Sequence, residues 1–170
     1  MLGKELSFKM NKSVEAIEIS GIRKFFNKVS KYPNAISLTL GQPDFDVPSR
    51  VKNAIIKAVE DGKSKYTANA GIVELREEIS KFLKTLDINY DKDEIMITVG
   101  GSEALFSVLM GLLNKGDKVL VPSIGYPAYE SITKMLEGET VVYNLNDDFT
   151  INIDSLEEGI KNGAKVLILS

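Results

Sequence analysis

The sequence predicts an α/β fold in which a mainly parallel sheet lies between two layers of helices. From residue 95 onward, short apolar segments typical of strands alternate with amphipathic helical segments. Such alternation produces right-handed crossovers between parallel strands, with helices on both faces of the sheet. The first of these strands runs into Gly100-Gly101-Ser102, a sequence that favours a direct passage from strand to helix. A chain of 170 residues, of which 44% are hydrophobic, can bury one packed core around such a sheet.

The amino-terminal segment predicts an arm, a helix and a short strand in turn. Residues 1–21 mix polar and apolar side chains with weak periodicity, so we expect an arm that needs a partner surface. Apolar residues recur at helical spacing over 22–29, and this helix should end before Pro33. Alternating residues over 36–40 predict a strand, and the segment 41–48, rich in turn residues, predicts a turn.

Two amphipathic helices are expected next. Pro48 or Ser49 opens the first helix, which carries its apolar residues on one face and closes at Gly62. A polar link over 63–71 leads to the second helix, which is longer and spans 72–83.

The carboxyl-terminal part contains the strands of the predicted sheet. Its elements are expected in the order strand 95–99, helix 102–113, strand 118–121, helix 126–137, strand 140–144, helix 154–160 and strand 166–169. In open sheets of this kind, the loops at the carboxyl ends of the strands build the binding site. The chain stops at Ser170, at the tip of the last predicted strand, so a functional loop is expected to begin at that point.

The composition disfavours several classes of function. The chain has no cysteine and no histidine, which removes thiol and Ser-His nucleophiles, disulfides and the commonest metal ligand, and no metal site is predicted. The net charge is only −3 and the lysines are scattered along helical faces, so nucleic-acid binding is disfavoured. The amino terminus lacks the apolar segment of a signal peptide, and no run reaches membrane-spanning length. A cytoplasmic protein without membrane contact is therefore expected.

The turn Gly100-Gly101-Ser102 is the strongest candidate for a binding site. A helix that begins there directs N–H groups and the positive end of its dipole at one point, which favours a phosphate. The glycines allow an anion to approach closely, and Ser102 is expected to act both as the helix N-cap and as a hydroxyl donor. On the motif alone, an ordinary turn whose glycines ease packing is equally open. The spacing matches neither the dinucleotide fingerprint nor the P-loop, so a phosphate other than that of NAD or ATP is favoured.

Three other residues are candidates for a functional role, and each can also be explained by structure alone. Gly41 lies in a turn with Pro43, which by itself predicts only a connection between a strand and a helix. Tyr66, taken alone, predicts a half-buried aromatic whose hydroxyl finds a backbone partner. Tyr126 follows the strand at 118–121 and is either a core aromatic at the start of a helix or a flat ring that stacks on a planar ligand.

Together these segments resemble the amino-terminal half of the class I and II aminotransferases, fold-type I enzymes that depend on pyridoxal 5′-phosphate. The matching segments cover most of the chain and comprise residues 36–46, 66–79, 97–105 and 116–129. Residues 17–25 and 66–71 look most similar to the branch that contains bacterial aminotransferase A. The resemblance implies an incomplete large domain of the PLP-dependent transferase fold (a three-layer α/β/α arrangement) over residues 48–170. It assigns residues 1–47 to an amino-terminal arm and part of a small domain.

The resemblance also implies a role in cofactor binding for five residues. Gly100, Gly101 and Ser102 would hold the cofactor phosphate through backbone N–H groups and a hydroxyl. Tyr126 would stack on the pyridine ring. Tyr66 would reach across a homodimer interface to the phosphate of the neighbouring subunit's cofactor.

Two further residues are implied on the substrate side. Gly41 would lie close to the substrate carboxylate, and Ile22, in the arm around 20–22, would line the substrate entrance. One departure from the family pattern is Ile124, where the family often has proline. This difference alters the loop before Tyr126 but leaves the stacking residue in place.

The resemblance implies a fragment of an enzyme. The lysine that forms the Schiff base and the carboxylate that pairs with the pyridinium nitrogen would both lie beyond residue 170, so no catalytic residue is assigned and this chain alone is expected to be inactive. The strand at 95–99 would pair with a late strand that the chain does not contain, so the other three strands would pair among themselves and leave this one displaced with unpaired edges. The full-length protein would transfer an amino group between an amino acid and a 2-oxo acid as a homodimer.

Two other functions remain open from the sequence. The chain could be a non-catalytic module that binds a phosphate ligand or a subunit without turnover. It could also be another doubly wound phosphate-binding domain, although that explains only the turn at Gly100 and not Gly41, Tyr66 and Tyr126 together. The donor amino acid is not predicted, since acidic, aromatic and diaminopimelate-type donors all fit the resemblance.

Overall fold

A parallel sheet organises one of the two units into which the chain divides. The computed structural model describes residues 10–17, 21–36, 38, 41 and 43–170. One unit combines Met1–Pro33 with Gly100–Ser170 and is called the sheet unit here, and the other, Asn34–Val99, is called the helical unit. The boundary expected near residue 47 concerns the two domains of a whole enzyme and stays a prediction.

The described residues form seven α-helices and three strands. The helices are α1 Lys12–Glu15, α2 Gly21–Val29, α3 Ser49–Glu60, α4 Val73–Lys84, α5 Gly100–Leu112, α6 Ala128–Met135 and α7 Ile153–Lys161. The strands are β1 Lys118–Pro122, β2 Glu139–Tyr143 and β3 Ala164–Leu167, and a 3-10 turn spans Lys92–Glu94. The predicted helices are all present, with ends displaced by one or two residues in most cases.

The sheet has the order β2-β1-β3, and β1 pairs in parallel with both neighbours. Val121 lies opposite Val142 of β2, and Leu120 lies opposite Leu167 of β3. Because β1 is central and covered on both faces, it is a continuous apolar run rather than an alternating one.

Helices cover both faces of the sheet. Leu109 of α5 and Ile132 of α6 pack with Val119 and Val121 of β1 and form the core on one face. The intervening Leu120 points to the opposite face, since side chains alternate along a strand. There it meets α7 so closely that a Cβ on Gly159 would lie 2.5 Å from Leu120 Cδ1. The three-layer α/β arrangement predicted from the sequence is therefore confirmed.

The helical unit is held by contacts between α4 and the segment that contains the 3-10 turn. Arg76, which is 8% exposed, donates from Nη1 to the carbonyl oxygen of Lys92 at 2.8 Å. Ser80 Oγ donates to the carbonyl oxygen of Tyr90 at 2.6 Å. Asp91 caps the turn, and its own N–H is bound by the Glu94 carboxylate at 2.8 Å.

The strand predicted over 95–99 does not form. These residues belong to the helical unit and are described without strand pairing. Ile97 donates its N–H to the carbonyl oxygen of Ala70 at 3.0 Å, so this bond goes to a loop and not to a strand. An apolar segment of this kind forms a strand only where a neighbouring strand accepts its hydrogen bonds.

Two other expectations concern the amino-terminal part of the chain. The strand predicted over 36–40 cannot be compared, since residues 37, 39 and 40 lie outside the described residues. The short helix α1 contacts α6, so this part of the predicted arm has a surface to pack on. Within the part of the chain that the structure describes, no helix is both long and apolar enough to span a bilayer.

Candidate phosphate and ring site

The amino terminus of α5 forms one side of the candidate site. The helix begins at Gly100, whose φ of 75° lies in the left-handed region that favours glycine. A Cβ added to Gly100 or Gly101 would meet nothing within 4 Å, so open space adjoins both residues. The amino-terminal end of an α-helix attracts anions, because its first N–H groups and the positive end of the helix dipole point in the same direction. This end of α5 therefore fits an anion that needs close backbone approach.

Ser102 has a different role in the helix from the one predicted. Because α5 begins at Gly100, Ser102 is the third residue of the helix and not its N-cap. Its expected capping role is therefore wrong, since an N-cap residue precedes the first helical residue. Its side-chain hydroxyl remains available at the first turn and lies 3.3 Å from the hydroxyl of Tyr126.

Tyr126 forms the other side of the site, in the loop between β1 and α6. The loop starts where β1 ends at Pro122 and finishes at Pro127, which is the N-cap residue of α6. The Tyr126 side chain is 49% exposed, so it is not the core aromatic that the structural interpretation predicts. A ring that is half exposed beside a phosphate-binding turn can cover one face of a planar ligand.

The ring of Tyr126 is held by Tyr129, a residue that the sequence did not single out. The two ring centroids are 5.8 Å apart and the planes meet at 88°, an edge-to-face arrangement favoured by aromatic quadrupoles. The N–H of Tyr129 also donates to the carbonyl oxygen of Tyr126 at 3.0 Å. The spacing of three residues at a helix start is the signal that could have found this pair.

Gly125 allows this close packing. A Cβ at this position would lie 2.9 Å from Pro122 Cγ and 3.4 Å from two atoms of the Tyr129 ring. Any larger residue would displace the proline or the ring. Gly125 therefore belongs with Tyr129 among the residues that position Tyr126.

One carboxyl group with a shifted pKa, that of Asp117, lies at the opposite end of β1 from Tyr126. Asp117 precedes β1, and the hydrogen bond from Lys165 at 2.6 Å, followed by one from the Asn114 N–H at 2.7 Å, lowers the pKa of its carboxyl. Tyr126 follows the carboxyl end of the same strand. This ion pair therefore links β1 to β3 and takes no part in the candidate site.

The structure joins four of the seven predicted site residues. Gly100, Gly101 and Ser102 share the first turn of α5, and Tyr126 reaches Ser102 through its hydroxyl. Among the described residues, no group of three or more acidic side chains is placed to hold a metal ion.

The other three predicted residues lie elsewhere in the chain. Tyr66 belongs to the helical unit and is fully exposed, without the half-buried packing that the structural interpretation predicts. Gly41 belongs to the same unit, and a Cβ added to it would meet nothing within 4 Å. Ile22 lies on α2 and is 45% exposed, whereas Ser20 lies outside the described residues. The roles expected for these residues stay predictions.

The fold is that of an α/β protein, and the open helix start beside an exposed aromatic ring has the shape and chemistry that a phosphorylated planar ligand needs. Comparison with known families places it further. Residues 33–170 match the family model described as aminotransferase class I and II. The chain belongs to the class I and II aminotransferase family.

Individual relatives agree with this assignment. The chain is 39% identical over 155 residues to a probable aspartate aminotransferase of Methanocaldococcus jannaschii, covering 91% of this chain and 41% of that protein. It is 38% identical over 163 residues to a probable N-acetyl-LL-diaminopimelate aminotransferase of Bacillus subtilis, covering 94% of this chain and 42% of that protein. The chain therefore spans about two fifths of the length of these curated relatives.

Solved structures show the same likeness in three dimensions. The aspartate aminotransferase from Thermus thermophilus with maleate superimposes with a TM-score of 0.88 at 29% identity. That match covers 94% of this chain and 44% of the Thermus chain. The expected fold, an incomplete large domain of the PLP-dependent transferase type, is thus confirmed.

The residues present fit the cofactor of this family, pyridoxal 5′-phosphate. The open space at Gly100 and Gly101 leaves room for a phosphate against the backbone, which a side chain on either residue would restrict. The Ser102 hydroxyl adds a donor, and the exposed Tyr126 ring adds a flat surface. The cofactor predicted from the sequence is confirmed by membership of this family, whose enzymes depend on it.

Proposed function

We propose that this chain is the cofactor-binding amino-terminal part of an aminotransferase that moves an amino group between an amino acid and a 2-oxo acid. The observation that carries the proposal is the pairing of Ser102 with Tyr126 at the start of α5, within a chain of this family. When bound, pyridoxal 5′-phosphate supplies an aldehyde and an electron-withdrawing ring for the chemistry.

The sheet unit would hold the cofactor at two points. Backbone N–H groups at Gly100 and Gly101 and the Ser102 hydroxyl bind the phosphate, and the Tyr126 ring covers one face of the pyridine and excludes water from it. Binding at both ends fixes the plane of the ring. Fixing this plane orients the reacting bonds of the substrate before reaction.

Three further residues would act away from the cofactor-binding residues of the sheet unit. Tyr66 is proposed to bind the phosphate of the partner subunit's cofactor in a homodimer, and its full exposure supports a role outside its own unit. Gly41 would accommodate the substrate carboxylate, and Ile22 would line the substrate entrance. The cytoplasmic location expected from the sequence belongs to the same proposal.

The Schiff-base role is assigned to none of the lysines in this chain. The 170 residues are therefore expected to hold the cofactor weakly and not to transaminate. No observation favours the non-catalytic module or the unrelated phosphate-binding domain that the sequence leaves open.

The substrate class is proposed only broadly. The relatives are named for aspartate, for N-acetyl-LL-diaminopimelate and for aspartate with prephenate. These names support amino donors or acceptors that carry a second carboxylate or an acidic side chain.

The test of the proposal is binding of pyridoxine 5′-phosphate, which lacks the aldehyde and so forms no imine with surface lysines. We expect the chain to bind this ligand and Gly101→Asp to lose at least about tenfold in affinity, because the new side chain fills the open space beside the backbone at Gly101 and its charge repels a phosphate there. The matched control is Gly111→Asp, the same substitution later in α5, where a Cβ also meets nothing within 4 Å. Equal binding by Gly101→Asp and the original chain, measured by isothermal titration calorimetry, would contradict the proposal.

A further inference from the structure

The hydroxyls of Ser102 and Tyr126 lie 3.3 Å apart, which joins the two halves of the candidate site. We propose that the Tyr126 hydroxyl is a positioning group, which donates to Ser102 Oγ and thereby directs the serine proton at the phosphate. This inference rests on the proposed function. It assigns to Tyr126 a role in phosphate binding that is separate from covering the ring.

The direction of the hydrogen bond follows from a count of protons. A serine hydroxyl has one proton and two lone pairs, and a tyrosine hydroxyl can also donate or accept. The unprotonated, negatively charged oxygens of a phosphate act only as acceptors. When an anion lies at the start of α5, the Ser102 proton must point to it, and only the lone pairs of Ser102 remain for Tyr126. The phenol then donates to the serine.

Two hydrogen bonds linked in a chain strengthen each other. The Tyr126 proton polarises the Ser102 hydroxyl, which in turn becomes a better donor to the phosphate. The effect grows where a ligand excludes water from the pair, since screening by solvent falls. Binding of the phosphate would therefore depend on a residue that does not touch it.

The hydroxyl of Tyr126 can act in this way because its ring is placed independently of Ser102. Tyr129 meets the ring edge-on at 5.8 Å and 88°, and it donates its N–H to the Tyr126 carbonyl oxygen. Tyr129 is itself half-buried against the core of the sheet unit. Gly125 permits this packing by leaving space beside Pro122 and Tyr129. The ring is thus fixed by its own loop and by α6.

A ring that serves only to stack needs no hydroxyl, and phenylalanine would do equally well. The experiment therefore uses inorganic phosphate, a probe without a ring, and follows the amide signals of Gly101 and Ser102 by NMR in the 170-residue chain. Tyr126→Phe is expected to weaken phosphate binding by about threefold to tenfold, the range of a single net hydrogen bond. Tyr32→Phe, which removes a hydroxyl from a tyrosine that is 63% exposed in the same unit, should change nothing.

A double-mutant cycle then isolates the pair. Ser102→Ala should weaken phosphate binding, and adding Tyr126→Phe to it should cause no further loss, because the phenol acts through the serine. Ser102→Thr, which keeps a hydroxyl, should bind phosphate more tightly than Ser102→Ala. Circular dichroism checks that each variant retains its helices.

The outcomes separate this inference from the proposed function. If Tyr126→Phe binds inorganic phosphate as tightly as the original chain, the positioning role is wrong while the proposed site stands. If the losses of phosphate affinity in Ser102→Ala and Tyr126→Phe add fully in the double variant, the phenol does not act through the serine and the positioning role is wrong. If phosphate moves neither amide signal in the original chain, both the site and the positioning role are overturned.

Discussion

Single residues decide whether the candidate site can hold a flat phosphorylated ligand. Gly100, Gly101, Ser102 and Tyr126 could be found from the sequence, because glycines, a hydroxyl and an aromatic follow the ends of apolar segments. The contact between Ser102 and Tyr126 could not, since it depends on how β1 and α5 pack. The N-cap role of Ser102 was wrong because the helix begins two residues earlier than its apolar pattern indicates.

The residue that most directly tests the placement of Tyr126 is Gly125. Gly125→Ala places a Cβ 2.9 Å from Pro122 Cγ, so the loop must shift and the Tyr126 ring with it. We expect a loss of about 1 kcal/mol in the free energy of unfolding and a clear loss of affinity for pyridoxine 5′-phosphate. Urea denaturation and calorimetric titration measure the two effects.

The matched control is Gly111→Ala. Gly111 lies inside α5, where an added Cβ meets nothing within 4 Å, so alanine should stabilise the helix by about 0.5–1 kcal/mol. Ligand affinity should stay unchanged. Unchanged binding by Gly125→Ala as well would show that its close packing does not position the ring.

Elements follow the sequence where their hydrogen bonds and apolar faces are satisfied within the chain. The alternation over 118–169 predicts β1, β2 and β3 because each pairs with a neighbour from the same segment. The apolar segment 95–99 forms no strand, since a strand also needs an adjacent strand to accept its hydrogen bonds. The sequence pattern indicates which face of a segment is apolar, but it does not indicate whether a neighbouring strand is present to pair with it.

The ion pair between Asp117 and Lys165 predicts how the junction of β1 and β3 responds to pH. The hydrogen bonds from Lys165 and Asn114 lower the pKa of the Asp117 carboxyl below its usual value of 3.8. A carboxyl with a lowered pKa in the folded state stabilises the fold above its unfolded pKa, and the stabilisation is lost as the pH falls through the folded pKa. Asp117→Asn should therefore destabilise the chain at pH 7, with the difference disappearing at low pH.

Urea denaturation at a series of pH values between 7 and about 3 checks this expectation. Asp147→Asn, on an exposed loop of the same unit, is the control for removal of a carboxylate. A difference for Asp117→Asn that stays constant over the whole range would contradict the role of its charge. The salt dependence offers a second check, since the pair is partly exposed and therefore screened.

At the scale of the whole molecule, the chain has surfaces that its own described residues leave exposed. Helix α3 presents four large aliphatic side chains, each 46% exposed or more: Val51, Ile55, Ile56 and Val59. The chain spans about two fifths of the length of the curated relatives it matches. The candidate cofactor site lies within this chain and can be tested on it by ligand binding.

The most direct test of the central claim is an NMR titration of the 170-residue chain with pyridoxine 5′-phosphate. We predict that the amide signals of Gly101 and Ser102 and the ring signals of Tyr126 shift together with one dissociation constant. Such a result means that one ligand binds the start of α5 through its phosphate and Tyr126 through its ring. Shifts confined to other residues, or shifts at α5 without any change at Tyr126, would contradict the claim.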